Sequence, residues 1–156
     1  SPRSGFQLRQ GVIAMLITQL SISLENVPGA LSHVSELLGR EGVNIRAISV
    51  ADTSDISTVR FVVDDPEKAK NILKGNGFNP RETDVLAVET PDHPGGLLAV
   101  LKPLRAAGIN VHYLYPHLGR VSGNAIVILG CDKTEEAQKV LTQNWVKTLG
   151  KEVYSI

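Results

Sequence analysis

Cysteine is almost missing from this chain: among 156 residues there is one, Cys131. A lone cysteine excludes an intrachain disulfide and a cysteine-based zinc cluster within one chain. It suits a reducing, cytoplasmic setting. Aromatic residues make up only 4%, so a core has to be aliphatic. Charge of one sign is not in excess either, with 16 Lys plus Arg against 16 Asp plus Glu. Proteins that grip phosphate backbones carry a basic excess or stripe, so composition gives nucleic-acid binding no support. Long apolar runs are absent. Val12 to Ile17 is broken by Thr18-Gln19, too short for a signal-peptide core or a membrane span, and no membrane role is expected. Methionine occurs once, at Met15, and the ten residues from Ser1 to Gln10 show no period. We expect 1–14 to be a leader, foreign in origin or disordered, outside the fold. With 42% hydrophobic and 21% charged residues, the remainder reads as one ordinary globular domain or two small ones.

What is present is an internal repeat. Pro28-Gly-Ala-Leu31 matches Pro94-Gly-Gly-Leu97 at an offset of 66, and the same offset carries Val34 onto Val100, Leu38 onto Leu104 and Asn44 onto Asn110. Val59–Val63 falls on Ala125–Leu129. The next helical stretch aligns at 68, with Ala69 on Ala137 and Leu73 on Leu141, so one loop has gained two residues. A unit of this length is too long for a solenoid repeat and right for one small α/β domain. Two tandem copies are expected, 15–83 and 84–156.

Within the first copy, Leu20, Ile22 and Leu24 alternate with polar residues, as in a half-buried strand. After the turn Glu25–Gly29, Ala30, Leu31, Val34, Leu37 and Leu38 recur at helical spacing. Strands are expected over 43–50 and 56–63. Asp64-Asp65-Pro66 reads as the cap of a second helix, and 79–83 as a short fourth strand. The second copy repeats the order with strands 84–90, 109–115, 124–130 and 152–156 and helices from about Gly96 to Ala107 and Thr134 to Trp145. Pro103 breaks a local rule inside the first of these helices. The order is βαββαβ twice. The fold class is α+β: two tandem ferredoxin-like units, antiparallel sheets with helices on one face.

Topology alone names no function. An RNA-recognition module needs exposed aromatics on its third strand, and Phe61 is the single aromatic there. Metal-carrying versions need paired cysteines in the first loop, which has none. Small-molecule regulatory modules use the first strand-to-helix turn, where this repeat is best preserved. That turn opens a helix, so free amides and the positive end of the dipole suit a carboxylate. Pro28 stiffens it, and Gly29 and Gly95 permit close approach to the backbone. Asn26 is placed to hydrogen-bond either end of a zwitterion. Its counterpart Asp92 suits an α-ammonium group, and is expected to contribute more than Asn26. Asn44 and Asn110 begin the second strands and are expected beside the turns. Turn chemistry alone also accounts for Pro-Gly with Asn or Asp.

Asn26-Val-Pro-Gly-Ala-Leu31 followed by Glu41-Gly-Val-Asn-Ile45, and Pro91-Asp-His-Pro-Gly-Gly-Leu97 followed by Ala107-Gly-Ile-Asn-Val111, resemble the ACT domain family. ACT domains are regulatory βαββαβ modules of amino-acid-controlled enzymes such as aspartokinases, phosphoglycerate dehydrogenase and acetolactate synthase regulatory subunits. The resemblance covers Met15 to Ile156. It implies an amino acid held between paired ACT domains by Asn26, Val27, Pro28, Gly29, Ala30, Asn44 and Ile45. In the second copy it implicates Asp92, His93, Pro94, Gly95, Gly96, Asn110 and Val111. The chain looks like a stand-alone tandem ACT protein: not an enzyme, without cofactor or metal, a homodimer, and an amino-acid sensor. The alternative is a regulatory subunit that contacts a separate biosynthetic enzyme. The other tempting residues have plain readings. His33, His112 and His117 are solvated or packed, Cys131 is an inert apolar residue, and Tyr113 and Tyr115 line a pocket, an interface or the core.

Overall fold

The computed structural model describes residue 11 and residues 15–156; the expected leader, 1–14, lies outside the described residues apart from that one. The chain divides into two compact units, Thr18–Thr83 and Asp84–Ile156, the second of which also takes 15–17.

In the first unit, β1 (Leu16–Glu25) turns Leu20, Ile22 and Leu24 inward and Ser23 outward, the period-2 pattern of a strand with one packed face. Gly29 ends the following turn with φ +86° and caps α1 (Ala30–Arg40), whose buried stripe is Val34, Leu37 and Leu38. β2 (Ile45–Asp52) and β3 (Ile56–Val63) form a hairpin, and α2 (Pro66–Gly75) follows. Asp65 caps α2 by accepting from the Lys68 amide at 3.2 Å, with Pro66 in the first turn where its missing N–H costs nothing. β3 lies between β1 and β2, antiparallel to both. Leu20, Ile22, Val59, Phe61 and Val63 pack under Val34, Leu38, Ala69 and Leu73 from the helices. The core is thus aliphatic with one ring.

The second unit contains β4 (Arg81–Thr90) from residue 84 onward, α3 (Gly96–Ala106), β5 (Val111–Val121), β6 (Asn124–Cys131), α4 (Thr134–Gln143) and β7 (Thr148–Leu149). Its strand order is β5-β6-β4-β7, antiparallel throughout. Leu86, Val88, Val100, Leu104, Leu129, Ala137 and Leu141 form its core. These stand at the repeat positions of Leu20, Ile22, Val34, Leu38, Val63, Ala69 and Leu73.

The fourth strand of the first copy and the first of the second, separated by no more than a residue in the sequence, run on as one strand, β4, which begins at Arg81 rather than at 79. Other expectations are corrected. The last strand is Thr148–Leu149, not 152–156; Lys151–Tyr154 forms a 3-10 turn. Gly150 interrupts the ladder (φ −101°, ψ −137°), and the Val153 carbonyl accepts a 2.7 Å bond from His117 Nε2 rather than a strand partner. Helix α4 stops at Gln143 because Trp145 takes φ +57°, a left-handed conformation that costs a non-glycine residue about 1–2 kcal/mol. Pro103 does not stop α3. The helix runs through it, and the Ala107 amide returns to the Pro103 carbonyl at 3.1 Å, while the bond Pro103 itself would donate to Ala99 is forfeited. Among the described residues, no helix is long and apolar enough to cross a membrane.

Gly29 and Gly96 are glycine for different reasons. A Cβ on Gly29 meets no atom, but its φ is left-handed. Gly96 is buried in an ordinary helical start, and a Cβ there drives into the Pro91 carbonyl oxygen. Its counterpart Ala30 carries a methyl that packs against the first core. Gly29→Ala should cost roughly 1–2 kcal/mol. Gly96→Ala should cost more, about 3 kcal/mol, because a backbone oxygen has to move. Urea unfolding midpoints of the two variants test this ranking; an unchanged midpoint for Gly96→Ala contradicts it.

Candidate functional site

Both strand-to-helix turns are built alike. Val27 donates to the Glu25 carbonyl at 2.9 Å and Ala30 to the Val27 carbonyl at 3.3 Å; Gly96 donates to the His93 carbonyl at 3.0 Å. Gly29 and Gly95, at φ +86° and +83°, reverse the chain, and neither helix has a side-chain cap. The first regular helical bonds are made by His33 to Gly29 and by Ala99 to Gly95. The amides of Leu31 and Ser32, and of Leu97 and Leu98, therefore have neither a carbonyl nor a capping side chain as partner, which suits an anion.

The side chains assigned to a ligand's ammonium group are tied to the neighbouring hairpin. Asn26 Nδ2 donates to the Thr53 carbonyl at 3.4 Å. Asp92 accepts from Arg120 Nη1 at 3.3 Å, and Arg120 also reaches the Gly123 carbonyl. Both members of that ion pair are more than half exposed, so it contributes little to stability. His93 Nδ1 donates to the Pro94 carbonyl at 2.9 Å, bracing the turn internally. Gly96 does not open the turn to a ligand; the space beside it is taken by Pro91. Around the first turn, Asn26, Val27 and Ala30 line a cleft of about 200 Å³ together with Leu24, Asp52 and Ser57. The counterpart of Leu24 is Thr90, which is buried with its hydroxyl oxygen unpartnered.

Asn44 and Ile45 do not join that cleft. Glu25 pairs with Ile56 at one end of β3, and Ile45 with Val63 at the other. Seven strand steps separate them, roughly 23 Å. The expectation that the second-strand start sits beside the turn fails within one unit, because α1 carries the chain back along the sheet. The same holds in the second unit, where Thr90 pairs with Ala125 and Val111 with Cys131. Asn110 and Val111 line a different cleft, of about 440 Å³, with Leu101 and Arg105.

Sequence reasoning missed the residue that holds the backbone after each glycine-X pair. The Asn44 amide donates to Asp64 Oδ1 at 2.9 Å, and the Asp64 amide donates back to the Asn44 carbonyl at 3.0 Å. Asn110 and Asp132 repeat the exchange at 2.8 and 3.1 Å. The signal was available: Asp64 and Asp132 align at the same offset of 68 as the helices that follow them. Only Asp65, not Asp64, is the cap. The other tempting residues sit in packing roles. His33 lies against Phe78, with ring centroids 6.4 Å apart. His117 is buried and accepts the Gly119 amide at Nδ1 while donating from Nε2 to Val153. Tyr113 stands over Gly130, where a Cβ would strike its ring. Among the described residues, no three His, Cys, Asp or Glu side chains converge as metal ligands.

A family model described as an ACT domain pair matches residues 15–154. The acetolactate synthase small subunit of Buchnera aphidicola subsp. Baizongia pistaciae (strain Bp) is 48% identical over 44 residues, 28% of this chain and 28% of that protein's length. The match thus spans less than a third of that relative. Among solved structures, protein BT0572 from Bacteroides thetaiotaomicron superposes with a TM-score of 0.85 at 35% identity, over 92% of this chain and 99% of that one. The ligand-free regulatory subunit of aspartate kinase from Thermus thermophilus gives 0.60 at 16% identity, over 84% and 93%, a likeness of fold.

Cys131 has a thiol pushed above its ordinary pKa, first by burial and then by the Asp132 charge; Thr134 opposes the shift. The thiol form therefore dominates past neutrality, and only the thiolate is nucleophilic. Its reaction with a disulfide reagent at pH 8 should be several-fold slower than that of the urea-unfolded chain. The sign for stability follows: the unfolded state loses the proton first, so stability falls as pH rises through the ordinary thiol range. Equal rates for folded and unfolded chain contradict this.

Proposed function

The chain belongs to the ACT domain family, as a pair of such domains over residues 15–154, and from that premise we propose that it is a non-catalytic regulatory protein that binds a free amino acid. We take 15–83 and 84–156 as two tandem ferredoxin-like domains, each offering one strand-to-helix turn. The observation that carries the reading is the matching start of α1 and α3: a left-handed glycine, no side-chain cap, and amides at 31, 32, 97 and 98 without a carbonyl partner. A ligand carboxylate lies on those amides. Asn26 or Asp92 takes the ammonium group, Asp92 by exchanging its exposed Arg120 partner for it.

The start of the second strand, Asn44-Ile45 or Asn110-Val111, lies about a strand's length from the turn of its own unit. It reaches a ligand only when a second ACT domain supplies it, and we assign that role to a domain of a second chain in a homodimer. Dynamic and static light scattering at high micromolar concentration should report a dimer; a monomer with and without ligand removes the shared site. The second reading, a regulatory subunit acting on a separate enzyme, is favoured by the acetolactate synthase small subunit relative. Exposed Val27, Leu31, Ile56, Leu97 and Leu98 near the turns supply apolar surface for such a partner.

A thermal-shift panel of the twenty amino acids separates the two. A ligand at 100 times its Kd adds about 2.7 kcal/mol of stability, read as a rise in Tm. Asp92→Asn should then weaken binding by about tenfold, and Asn26→Ala by less, measured by calorimetry. No shift with any amino acid at millimolar concentration leaves the subunit reading in place of the sensor.

A further inference from the structure

The two copies diverge together at one place. In the first, Ser23, His33, Gly77, Phe78 and Asn79 occupy positions that the second fills with Glu89, Ala99, Trp145, Val146 and Lys147, at the offsets of 66 and 68. The backbone there is the same in both. The amides of Gly77 and Phe78 return to Lys74 and Leu73, and those of Trp145 and Val146 to Thr142 and Leu141. The His33 and Phe78 rings, 6.4 Å apart, occupy space that Ala99 and Val146 leave open. The result in the second unit is a cleft of about 290 Å³, walled by Pro91, Ala99, Val100 and Val146.

Its polar groups are unusual in three ways. The Glu89 side chain is only 12% exposed, yet it replaces a serine. Its Oε1 accepts from Asn124 Nδ2 at 2.7 Å, while Oε2 is buried without a hydrogen-bond partner, a costly state for a carboxylate oxygen. Lys147 Nζ stands 3.7 Å from that oxygen and is mostly in solvent. Trp145 is 94% exposed and holds a left-handed backbone where the first copy has glycine. A large ring kept in water on a strained residue gains nothing by packing, and such outliers gather at ligand clamps.

We propose that this cleft is a second ligand site, distinct from the turns, that takes the zwitterion of an aliphatic amino acid. The ligand ammonium fills the open valence of Glu89 Oε2, and its carboxylate pairs with Lys147 at the mouth. Its side chain lies on Pro91, Ala99 and Val146, and the Trp145 ring closes over it. The first copy lacks the carboxylate, the lysine, the ring and the space, so the site exists once per chain. It does not depend on the turn site.

Trp145 is the single tryptophan of the chain, so its fluorescence reports on this cleft alone. Leucine should give a saturable blue shift at millimolar concentration or below. N-acetylleucine, without the ammonium, should give none. Glu89→Gln should weaken the leucine response by about tenfold or more, and Ala99→His, which copies the first repeat, should abolish it. Lys147→Met keeps the length of an exposed side chain but removes the charge 3.7 Å from Glu89 Oε2, so its unfolding midpoint is read beside its binding. It should weaken leucine but leave binding of isoamylamine, which lacks the carboxylate, unchanged. Circular dichroism and unfolding midpoints check that each variant folds. Asn26→Ala and Asp92→Asn should leave the Trp145 response intact. Silent fluorescence with leucine overturns the proposal, as does an unaltered affinity in Glu89→Gln and Lys147→Met. Calorimetric binding that Asn26→Ala or Asp92→Asn removes while Trp145 stays silent sustains the turn site and overturns this one.

Discussion

The left-handed glycine that follows the first strand, Gly29 in one unit and Gly95 in the other, is the constraint on which each unit depends. At φ +86° and +83° it turns the chain through a region closed to most residues. The helix then starts at once and lies back over the sheet it has just left. Val34 and Leu38, or Val100 and Leu104, thereby reach the strand side chains that alternate toward them. The same reversal leaves the amides of Leu31 and Ser32, and of Leu97 and Leu98, without a carbonyl or side-chain cap, so one backbone feature both closes the core and makes an anion-ready surface.

The far end of each helix is fastened by a second device. Asn44 and Asp64, and Asn110 and Asp132, exchange backbone and side-chain bonds between the start of one strand and the end of the next. These bonds satisfy backbone groups beyond the helix that would otherwise lack partners. They also fix the strand start a full strand length away from the turn. A ligand held at both ends requires a second ACT domain, because no single unit brings the turn and the strand start together.

Within this common frame the two copies have drifted. The backbone carbonyl of Pro91 leaves no room for a Cβ at 96, where the first copy has alanine. Trp145 in place of Gly77 accepts backbone strain, and Ala99 and Val146 in place of His33 and Phe78 exchange a pair of rings for open space. The second unit carries a buried carboxylate oxygen without a hydrogen-bond partner, where the first has an exposed serine. Such changes leave the fold intact because they fall at the ends of elements, outside the cores that both copies share.

The repeat, the order of elements and the inward-facing residues were legible in the sequence because they follow from local periods: two residues for strands, 3.6 for helices, and glycine where φ is positive. Leu20, Ile22, Val34 and Leu38 and their counterparts sit where that periodicity puts them. The tertiary structure alone decided what depends on residues far apart in the chain. It placed Asp92 against Arg120 and Asn26 against Thr53. It separated Asn44 from the turn, moved the last strand to Thr148–Leu149, and gave the Val153 carbonyl to His117. Glu89, Ala99 and Trp145 look unrelated in sequence, since each lies on a different element. Only packing brings them to one cleft, because which side chains meet is set by register and helix docking, and no local pattern encodes either.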